Sequence, residues 1–265
     1  MSTQPPIALT IAGSDCSGGA GIQADLKTFQ RLHVHGLSAV TSIVAETPLV
    51  VRQIEPVTMP LLQDQINLLM DSYPIGAIKT GLLPTRATTI AVCEILKKSN
   101  IPLVVDPVMV ASSGAQLVDS TAVAILTSRL LPITTLVTPN MAEASAILGR
   151  SISTEADIET AAHDIATQHQ TSCLVKGGHL PGSGDRLDVL WHHGKAHHFT
   201  HPAVDLPDGG IHGTGCTLSA AITAGLAHGN SLEDSVKTAI DLVQELIRHS
   251  YAWRSGHETI RCLGW

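Results

Sequence analysis

The stretch HGTGC, from His212 to Cys216, places a glycine-rich turn and a thiol at the start of a helical pattern. Gly213 and Gly215 permit unusual backbone angles, so successive N–H groups, including that of Thr214, can converge where the helix begins. Such an anion hole would stabilise the charge that develops on a phosphoryl group. In that field the helix N-terminus is expected to favour the thiolate of Cys216, a candidate base or acid toward a substrate hydroxyl. The alternative is that Cys216 is a small buried hydrophobic residue.

Further polar residues follow short apolar runs, namely Asp15, Asp106, Asn140, Glu143 and Lys176. Ligands of open α/β sheets bind beyond the carboxyl ends of the strands, so this placement indicates a shared site. The Lys176 ammonium precedes two glycines and can reach a phosphate, whereas Asp106, Asn140 and Glu143 offer hard oxygen ligands for Mg²⁺. The structural alternative is that Asp106 is a turn residue and that Asn140 and Glu143 form a capping box.

The segment GGAGIQA matches the dinucleotide pattern G-x-G-x-x-A at Gly19, Gly21 and Ala24, and Glu46 follows about twenty residues later. Those glycines should form the turn directly after a strand, but residues 13–17 intervene. We therefore favour the interpretation that the glycines let a loop approach the sheet closely. The P-loop pattern G-x-x-x-x-G-K-[ST] does not occur in the sequence.

The tract WHHGKAHHFTHP, from Trp191 to Pro202, is rich in histidine. It predicts a hairpin around Gly194 with solvated histidines on both strands. A metal site is the alternative interpretation.

The elements that must position these residues alternate along the chain. Six apolar runs are typical of buried parallel strands, and they read IALTIAG, SAVTSIV, IGAIKTG, IPLVVDP, TLVTPN and SCLVKGG. Amphipathic helical patterns lie between them, and two more close the chain, at Thr214–Ala227 and from Leu232 to roughly Trp253. This alternation predicts a doubly wound, mostly parallel sheet flanked by helices, in a single domain that spans residues 1–265.

Composition excludes several classes of protein. Charged residues make up only 15% of the chain and the net charge is −7, so nucleic acid is not an expected partner. The sequence contains neither a signal-peptide pattern at its start nor an apolar run of membrane-spanning length, which predicts a cytoplasmic protein without a membrane partner. The five cysteines are spread widely, without zinc-ligand spacing, and are expected to be reduced thiols.

Taken together, these motifs resemble a known family. The segments IAGSDCSGGAGIQADLKTF, IKTGLL, VVDPVMVASSG, LVTPNMAEA, LVKGGH and HGTGCTLSAAI are similar, in order and over nearly the whole chain, to the bacterial hydroxymethylpyrimidine/phosphomethylpyrimidine kinases of thiamine biosynthesis. These enzymes belong to the ribokinase-like superfamily, alongside a class of pyridoxal kinases. The resemblance implies a ribokinase-like three-layer α/β fold and a homo-oligomer, with a dimer expected.

The resemblance also implies the reaction and the site residues. An enzyme of this family uses ATP and Mg²⁺ to phosphorylate the 5-hydroxymethyl group of 4-amino-5-hydroxymethyl-2-methylpyrimidine, and then phosphorylates the monophosphate to the diphosphate. By the resemblance, the backbone of residues 213–216 forms the anion hole, and Cys216 takes the place of an aspartate base found in sugar-kinase relatives. The remaining roles are ATP binding by Lys176, Asn140 and Thr214, magnesium binding by Asp106 and Glu143, and substrate binding by Gly13, Asp25, Glu46, Leu82 and Val108.

The substrate pocket departs from the family pattern at two positions. Glu46 stands where a glutamine is usual, and Leu82 stands where a methionine is usual. Glutamine can donate and accept at once, which suits an aminopyrimidine edge, whereas an ionised glutamate only accepts. Either the pyrimidine carries a proton, or Glu46 carries it, or the natural substrate presents two donors. A pyridoxal or other heteroaromatic alcohol kinase is therefore the alternative function, and a non-catalytic ligand-binding protein is a third.

Overall fold

A computed structural model describes residues 4–110, 117–118, 120–178, 184–204 and 211–265. Its main feature is a sheet of nine described strands in the order β3-β2-β1-β4-β5-β6-β7-β8-β9. The strands from β2 to β7 in this order pair in parallel, and β3, β8 and β9 pair antiparallel at the two edges. Their bounds are β1 Ile7–Asp15, β2 His35–Thr47, β3 Val50–Pro56, β4 Ala77–Thr80, β5 Leu103–Val105, β6 Leu136–Val137, β7 Ser172–Lys176, β8 Asp185–His192 and β9 Lys195–Pro202.

Helices cover both faces of the sheet. They are α1 Gly21–Arg31, α2 Met59–Ser72, α3 Arg86–Leu96, α4 Ser120–Ile125, α5 Met141–Leu148, α6 Glu155–His169, α7 Thr214–Ala227 and α8 Leu232–Arg248. Side chains alternate along β5, so Leu103 and Val105 join the core that α2, α3 and α6 cover, whereas Val104 joins the core under α7 and α8. The predicted doubly wound, mostly parallel sheet is confirmed as a three-layer structure.

Two local predictions have different outcomes. The predicted hairpin around Gly194 is confirmed, because β8 and β9 pair antiparallel across a turn in which His193 has φ 49° and Gly194 has φ 73°. The prediction that the last helix reaches roughly Trp253 is wrong, since α8 ends at Arg248. The next residues form a second hairpin, β10 Tyr251–Ser255 with β11 Glu258–Cys262, closed by a turn at Gly256 with φ 63°.

The topology brings the predicted strand-end residues to one edge of the sheet. Asp15 ends β1, Asp106 directly follows β5, and Lys176 ends β7. Asn140 follows β6 and pairs with Lys176 through an isolated parallel bridge. Among the described residues, helices are too short or too polar to cross a lipid bilayer.

Candidate active site

The N-terminus of α7 faces the carboxyl edge of the sheet. Gly213 precedes the helix with φ 85°, and a Cβ atom there would lie 1.9 Å from the carbonyl oxygen of Gly19. Only glycine fits this close approach, which explains the small residues of the HGTGC motif. The helical bonding pattern begins with Thr217 N donating to Gly213 O at 2.9 Å, so the amides of Thr214, Gly215 and Cys216 are the helix's initial donors.

Lys176 and Asp106 lie against this helix start. A Cβ atom on Gly215 would lie 3.3 Å from Lys176 Nζ and 3.9 Å from Asp106 Oδ2, so both charged groups border the first turn of α7. Lys176 Nζ also lies 3.5 Å from Asp106 Oδ1. Burial acts to lower the pKa of Lys176, but the carboxylates of Asp106 and Glu143 outweigh it and hold that pKa above its ordinary value. Lys176 is therefore a permanent positive charge beside helix amides.

Glu143 has a structural task at this edge. Asn140 N donates to Glu143 Oε2 at 2.8 Å, and Glu143 N donates to Asn140 Oδ1 at 2.8 Å. The structure thus confirms the capping box that starts α5. Burial raises the pKa of the Glu143 carboxyl, and Asp106 raises it further, although Lys176 opposes both. Asp106 and Glu143 thus share one ammonium, and a second cation would reduce the repulsion between the two carboxyl groups.

Cys216 is the third residue of α7, and its side chain is partly exposed. Burial raises the pKa of its thiol to about 12, Lys79 opposes this shift, and the carboxylates of Asp106 and Asp25 add to it. The expectation that the helix N-terminus favours the thiolate stays a prediction, and burial together with the carboxylates of Asp106 and Asp25 opposes it in the resting protein.

Asp25, which the family resemblance assigns to substrate binding, is fully buried. Its Oδ2 accepts from Lys79 Nζ at 2.9 Å and from Thr10 Oγ1 at 2.6 Å, and both ionic side chains are 0% exposed. Asp25 Oδ1 is buried without a hydrogen-bond partner among the described residues. Sequence reasoning missed Lys79, although a lysine inside the apolar run IGAIKTG signals a buried counter-ion. Lys79 and Asp25 form a fixed ion pair, and the charges of both residues act on the Cys216 thiol.

A second group of ionisable residues lies at the end of β1. Asp15, Glu46 and His212 form what we call the recognition cluster, in which one ligand atom of each lies within 4.8 Å of the others. His212 Nε2 lies 3.1 Å from Asp15 Oδ2. The pKa of the half-buried Glu46 carboxyl is raised, first by burial and then by Asp15, while His212 opposes the shift.

Asp15 organises the glycine loop before α1. Its carboxylate accepts hydrogen bonds from Ser17 N, Ser17 Oγ, Gly19 N and Ala20 N at 2.7 to 3.0 Å. Burial raises its pKa, but the hydrogen bonds from His212, Ser17 and Ala20 outweigh burial and hold the pKa far below its ordinary value. Asp15 is therefore a fixed negative charge whose oxygens are already engaged, so the cluster is a poor metal site.

Cys16 holds the backbone of Glu46. The Cys16 thiol donates to Glu46 O at 3.2 Å, and Glu46 N donates to Cys16 Sγ at 3.4 Å. The strand pairing of β2 with β3 also shifts register between Ala45 and Glu46. A bulge of this kind redirects the side chain at the end of a strand.

The apolar part of the predicted pocket lies beside Gly13. A Cβ atom on Gly13 would lie 3.0 Å from Ser42 Oγ and 3.2 Å from Leu82 Cδ2, so a larger residue would crowd both side chains. Leu82 belongs to a small apolar cluster with Val44, Met109, Val118 and Ala122. Val108 is partly exposed after Asp106, and its N–H donates to Asp106 O at 2.8 Å. Residues 111–114 and 179, which belong to the quoted motifs, lie outside the described residues.

With this geometry in place, similarity to known proteins decides the family. The phosphomethylpyrimidine kinase profile matches residues 15–261. This chain belongs to the phosphomethylpyrimidine kinase family. The hydroxymethylpyrimidine/phosphomethylpyrimidine kinase of Haemophilus influenzae is 40% identical over 94% of this chain and 93% of its own length. A Schizosaccharomyces pombe relative is 42% identical over 92% of this chain, which spans only 47% of that longer protein.

Solved structures support the same assignment. The ADP complex of Bacillus subtilis pyridoxal kinase is 33% identical, with a TM-score of 0.87 and 97% of each chain covered. The phosphomethylpyrimidine kinase of Clostridium difficile is 35% identical, with a TM-score of 0.80 over 91% of this chain and 99% of that chain. The expected ribokinase-like fold and the assignment as a kinase are confirmed.

Proposed function

We propose that this member of the phosphomethylpyrimidine kinase family phosphorylates 4-amino-5-hydroxymethyl-2-methylpyrimidine with ATP, and then its monophosphate, in thiamine biosynthesis or salvage. One observation carries the chemistry: Gly215 at the start of α7 lies against Lys176 and Asp106, at a separation of 3.3 Å from a Cβ position to Nζ. Helix amides beside a buried ammonium suit a transferring phosphoryl group, whose charge lies on its outer oxygens. The Haemophilus influenzae relative supports the choice of substrate.

The phosphate contacts follow from this arrangement. The amides of residues 213–216 would donate to the transferred group, and the Lys176 ammonium would neutralise the phosphates of ATP. Asn140 and Thr214 border the same edge, so we assign them to nucleotide binding. ADP in the Bacillus subtilis pyridoxal kinase complex supports ATP as the phosphate donor.

A divalent cation fits beside Lys176. Asp106 and Glu143 are 3% and 7% exposed, and two buried carboxyl groups facing one ammonium leave an excess of negative charge. Carboxylate oxygens are ligands that Mg²⁺ prefers. We therefore assign magnesium binding to Asp106 and Glu143, where the ion would neutralise carboxylate charge and stabilise the negative charge of the phosphates.

Cys216 would act on the substrate hydroxyl. Its thiol stands at the start of α7, where the charges of Lys79, Asp25 and Asp106 all act on it. Because its raised pKa favours the protonated thiol, Cys216 must release its own proton to solvent before it can accept the proton of the hydroxyl. We propose that it does so once a cation held by Asp106 and Glu143 offsets the charge of those carboxylates.

The recognition cluster would read the ring of the substrate. Asp15 remains charged, so the neighbouring Glu46 is disfavoured as a second anion. A protonated Glu46 donates through its O–H and accepts through its C=O, which matches a ring nitrogen beside an amino group. Gly13, Leu82 and Val108 would contact the apolar parts of the ring, and the unpaired Asp25 Oδ1 offers an acceptor below it.

A pyridoxal kinase is the second candidate. The Bacillus subtilis pyridoxal kinase has the higher TM-score, 0.87 against 0.80 for the Clostridium difficile phosphomethylpyrimidine kinase. The test is a panel of hydroxymethylpyrimidine, its monophosphate, pyridoxal, pyridoxine and pyridoxamine, each with ATP and Mg²⁺ and read as phosphorylated product. Preference for both pyrimidines supports our proposal, and preference for pyridoxal overturns it. An absence of ATP consumption with every compound would identify a non-catalytic binding protein.

The assembly and the location of the protein stay predictions. The family resemblance implies a homodimer with small molecules as ligands, and the sequence pattern predicts a cytoplasmic location. Sedimentation of the purified protein at several concentrations would test the dimer.

A further inference from the structure

The histidine-rich hairpin carries two imidazole groups that face one carboxylate. His192 Nε2 and His197 Nε2 each lie 3.9 Å from Glu233 Oε1. His197 stands opposite Leu190, two residues before His192, so both histidines project from the same face of the sheet as diagonal neighbours. Glu233 lies in the first turn of α8, which packs over this face. Two neighbouring strands and one helix end thus supply three potential metal ligands.

We propose that His192, His197 and Glu233 bind a zinc ion that links the β8–β9 hairpin to the start of α8. Two imidazoles and one carboxylate are a donor set that zinc takes, with a fourth position left for water. Tetrahedral zinc with bonds of roughly 2.0–2.2 Å separates its nitrogen and oxygen ligands by about 3.4 Å. The observed 3.9 Å separations from the carboxylate must therefore shorten by about half an ångström on binding, and the two imidazole nitrogens, which lie more than 4.8 Å apart, must close by at least about 1.4 Å.

These side chains have room for that movement. The recognition cluster is the only group of three among the described residues whose ligand atoms all lie within 4.8 Å, so the zinc ligands are more open than a loaded site. His197 and Glu233 are 33% and 37% exposed, which leaves them free to rotate, while His192 is 15% exposed and held.

Ser172 provides an independent reason to favour metal binding at His192. Ser172 Oγ lies 2.7 Å from His192 Nδ1. When Nδ1 donates its proton to this hydroxyl, the Nε2 lone pair faces Glu233 and is free for a metal. A neutral imidazole with an oriented second nitrogen is the form that binds zinc.

The test is calorimetric titration of zinc chloride into chelator-treated, tag-free protein. We expect one ion per chain for the unmodified protein, and weaker binding by at least about tenfold for His197→Gln and for Glu233→Gln. The matched control is His198→Gln, since His198 points to the other face of the sheet and lies 2.8 Å from Glu159. That control should bind zinc as the unmodified protein does.

The Ser172→Ala variant distinguishes a specific zinc site from non-specific binding of zinc to surface histidines. Loss of the hydroxyl that orients His192 should weaken zinc binding about 10- to 100-fold, as other outer-shell partners do. Equal affinity in the unmodified protein, His197→Gln and Glu233→Gln would overturn the proposal, as would equal weakening by His198→Gln. Circular dichroism without zinc checks that each variant is folded. No substrate is present, so the result is independent of the proposed kinase activity.

Discussion

The two ends of the candidate active site balance their charges in different ways. At the phosphate end, which comprises Lys176, Asp106, Glu143 and the start of α7, a buried ammonium lies 3.5 Å from a carboxylate and borders helix amides. At the ring end, which is the recognition cluster with its apolar neighbours, two carboxyl groups share one imidazole within 4.8 Å. Each end thus holds two carboxyl groups and one basic group, but only the phosphate end adds a lysine ammonium and helix amides that can face phosphates.

This difference separates chemistry from specificity. Any alcohol kinase of this fold needs a cation and amide donors around the phosphoryl group, whatever its acceptor substrate. The ring end has no such general requirement. Its second carboxyl group, Glu46, must either carry a proton or accept a hydrogen bond from a donor on the ligand. Substitutions at the phosphate end should therefore abolish turnover of every substrate, and substitutions at the ring end should change selection among substrates.

Removing the Lys176 ammonium should cause the largest loss. For Lys176→Met we expect kcat/KM to fall about 1,000-fold with every accepted substrate, because negative charge on the phosphoryl group loses a buried counter-ion. Steady-state assays with ATP and each substrate measure the effect. The exposed Lys195, changed to Met, is the control and should keep full activity. A fall below tenfold would show that helix amides alone stabilise the phosphoryl group.

The buried ion pair of Lys79 with Asp25 should contribute to the stability of the fold. Lys79→Met leaves the Asp25 carboxyl at 0% exposure without its ammonium, which should cost about 3 kcal/mol of unfolding free energy. Burial already raises the pKa of Asp25, so without Lys79 the carboxyl must stay protonated, and the loss should grow as pH rises. Urea unfolding at pH 6 and pH 8 measures both effects. The double variant Lys79→Met with Asp25→Leu should recover much of the loss, and no recovery would contradict the ion-pair explanation.

How far the sequence predicts this molecule depends on the range of each interaction. Alternating apolar runs and helical patterns predict the parallel sheet, and the order of the strands then places Asp106, Asn140 and Lys176 at one edge. The capping box of Asn140 and Glu143 can also be predicted from the sequence, because its two partners lie three residues apart. Local patterns therefore suffice for the phosphate end.

Contacts between residues that are far apart in the sequence cannot be predicted from local patterns. Lys79 and Asp25 are 54 residues apart, and His212 and Asp15 are 197 apart, so no periodicity links them. The raised pKa of Cys216 depends on Lys79, Asp25 and Asp106, which are all more than 100 residues away along the chain, so the helix start alone does not predict it. The wrong end of α8 has another cause, since two aromatic residues, Tyr251 and Trp253, stand two positions apart before a turn at Gly256, which is typical of a strand that leads into a hairpin.

Cys216 tests whether the phosphate end uses a base. For Cys216→Ala we expect kcat to fall about 100-fold with a modest change in the KM for ATP. If the thiol accepts the hydroxyl proton, kcat of the unmodified enzyme should rise with pH between about pH 6 and pH 9, because its raised pKa limits the thiolate, and the variant should lose this rise. The control Cys262→Ala removes another partly buried thiol. An unchanged kcat would identify Cys216 as a packing residue.

Glu46 tests the ring end, where we expect the smallest effect on turnover and the clearest effect on pH dependence. Glu46→Gln should keep or improve hydroxymethylpyrimidine phosphorylation, because the amide provides both a donor and an acceptor at every pH. In the unmodified enzyme, KM should rise up to about tenfold per pH unit above the raised pKa of Glu46, since the donor proton is lost. The exposed Glu55→Gln on β3 is the control. Complete loss of activity in Glu46→Gln would show that the ionised carboxylate itself is required, and that the natural substrate presents two donors.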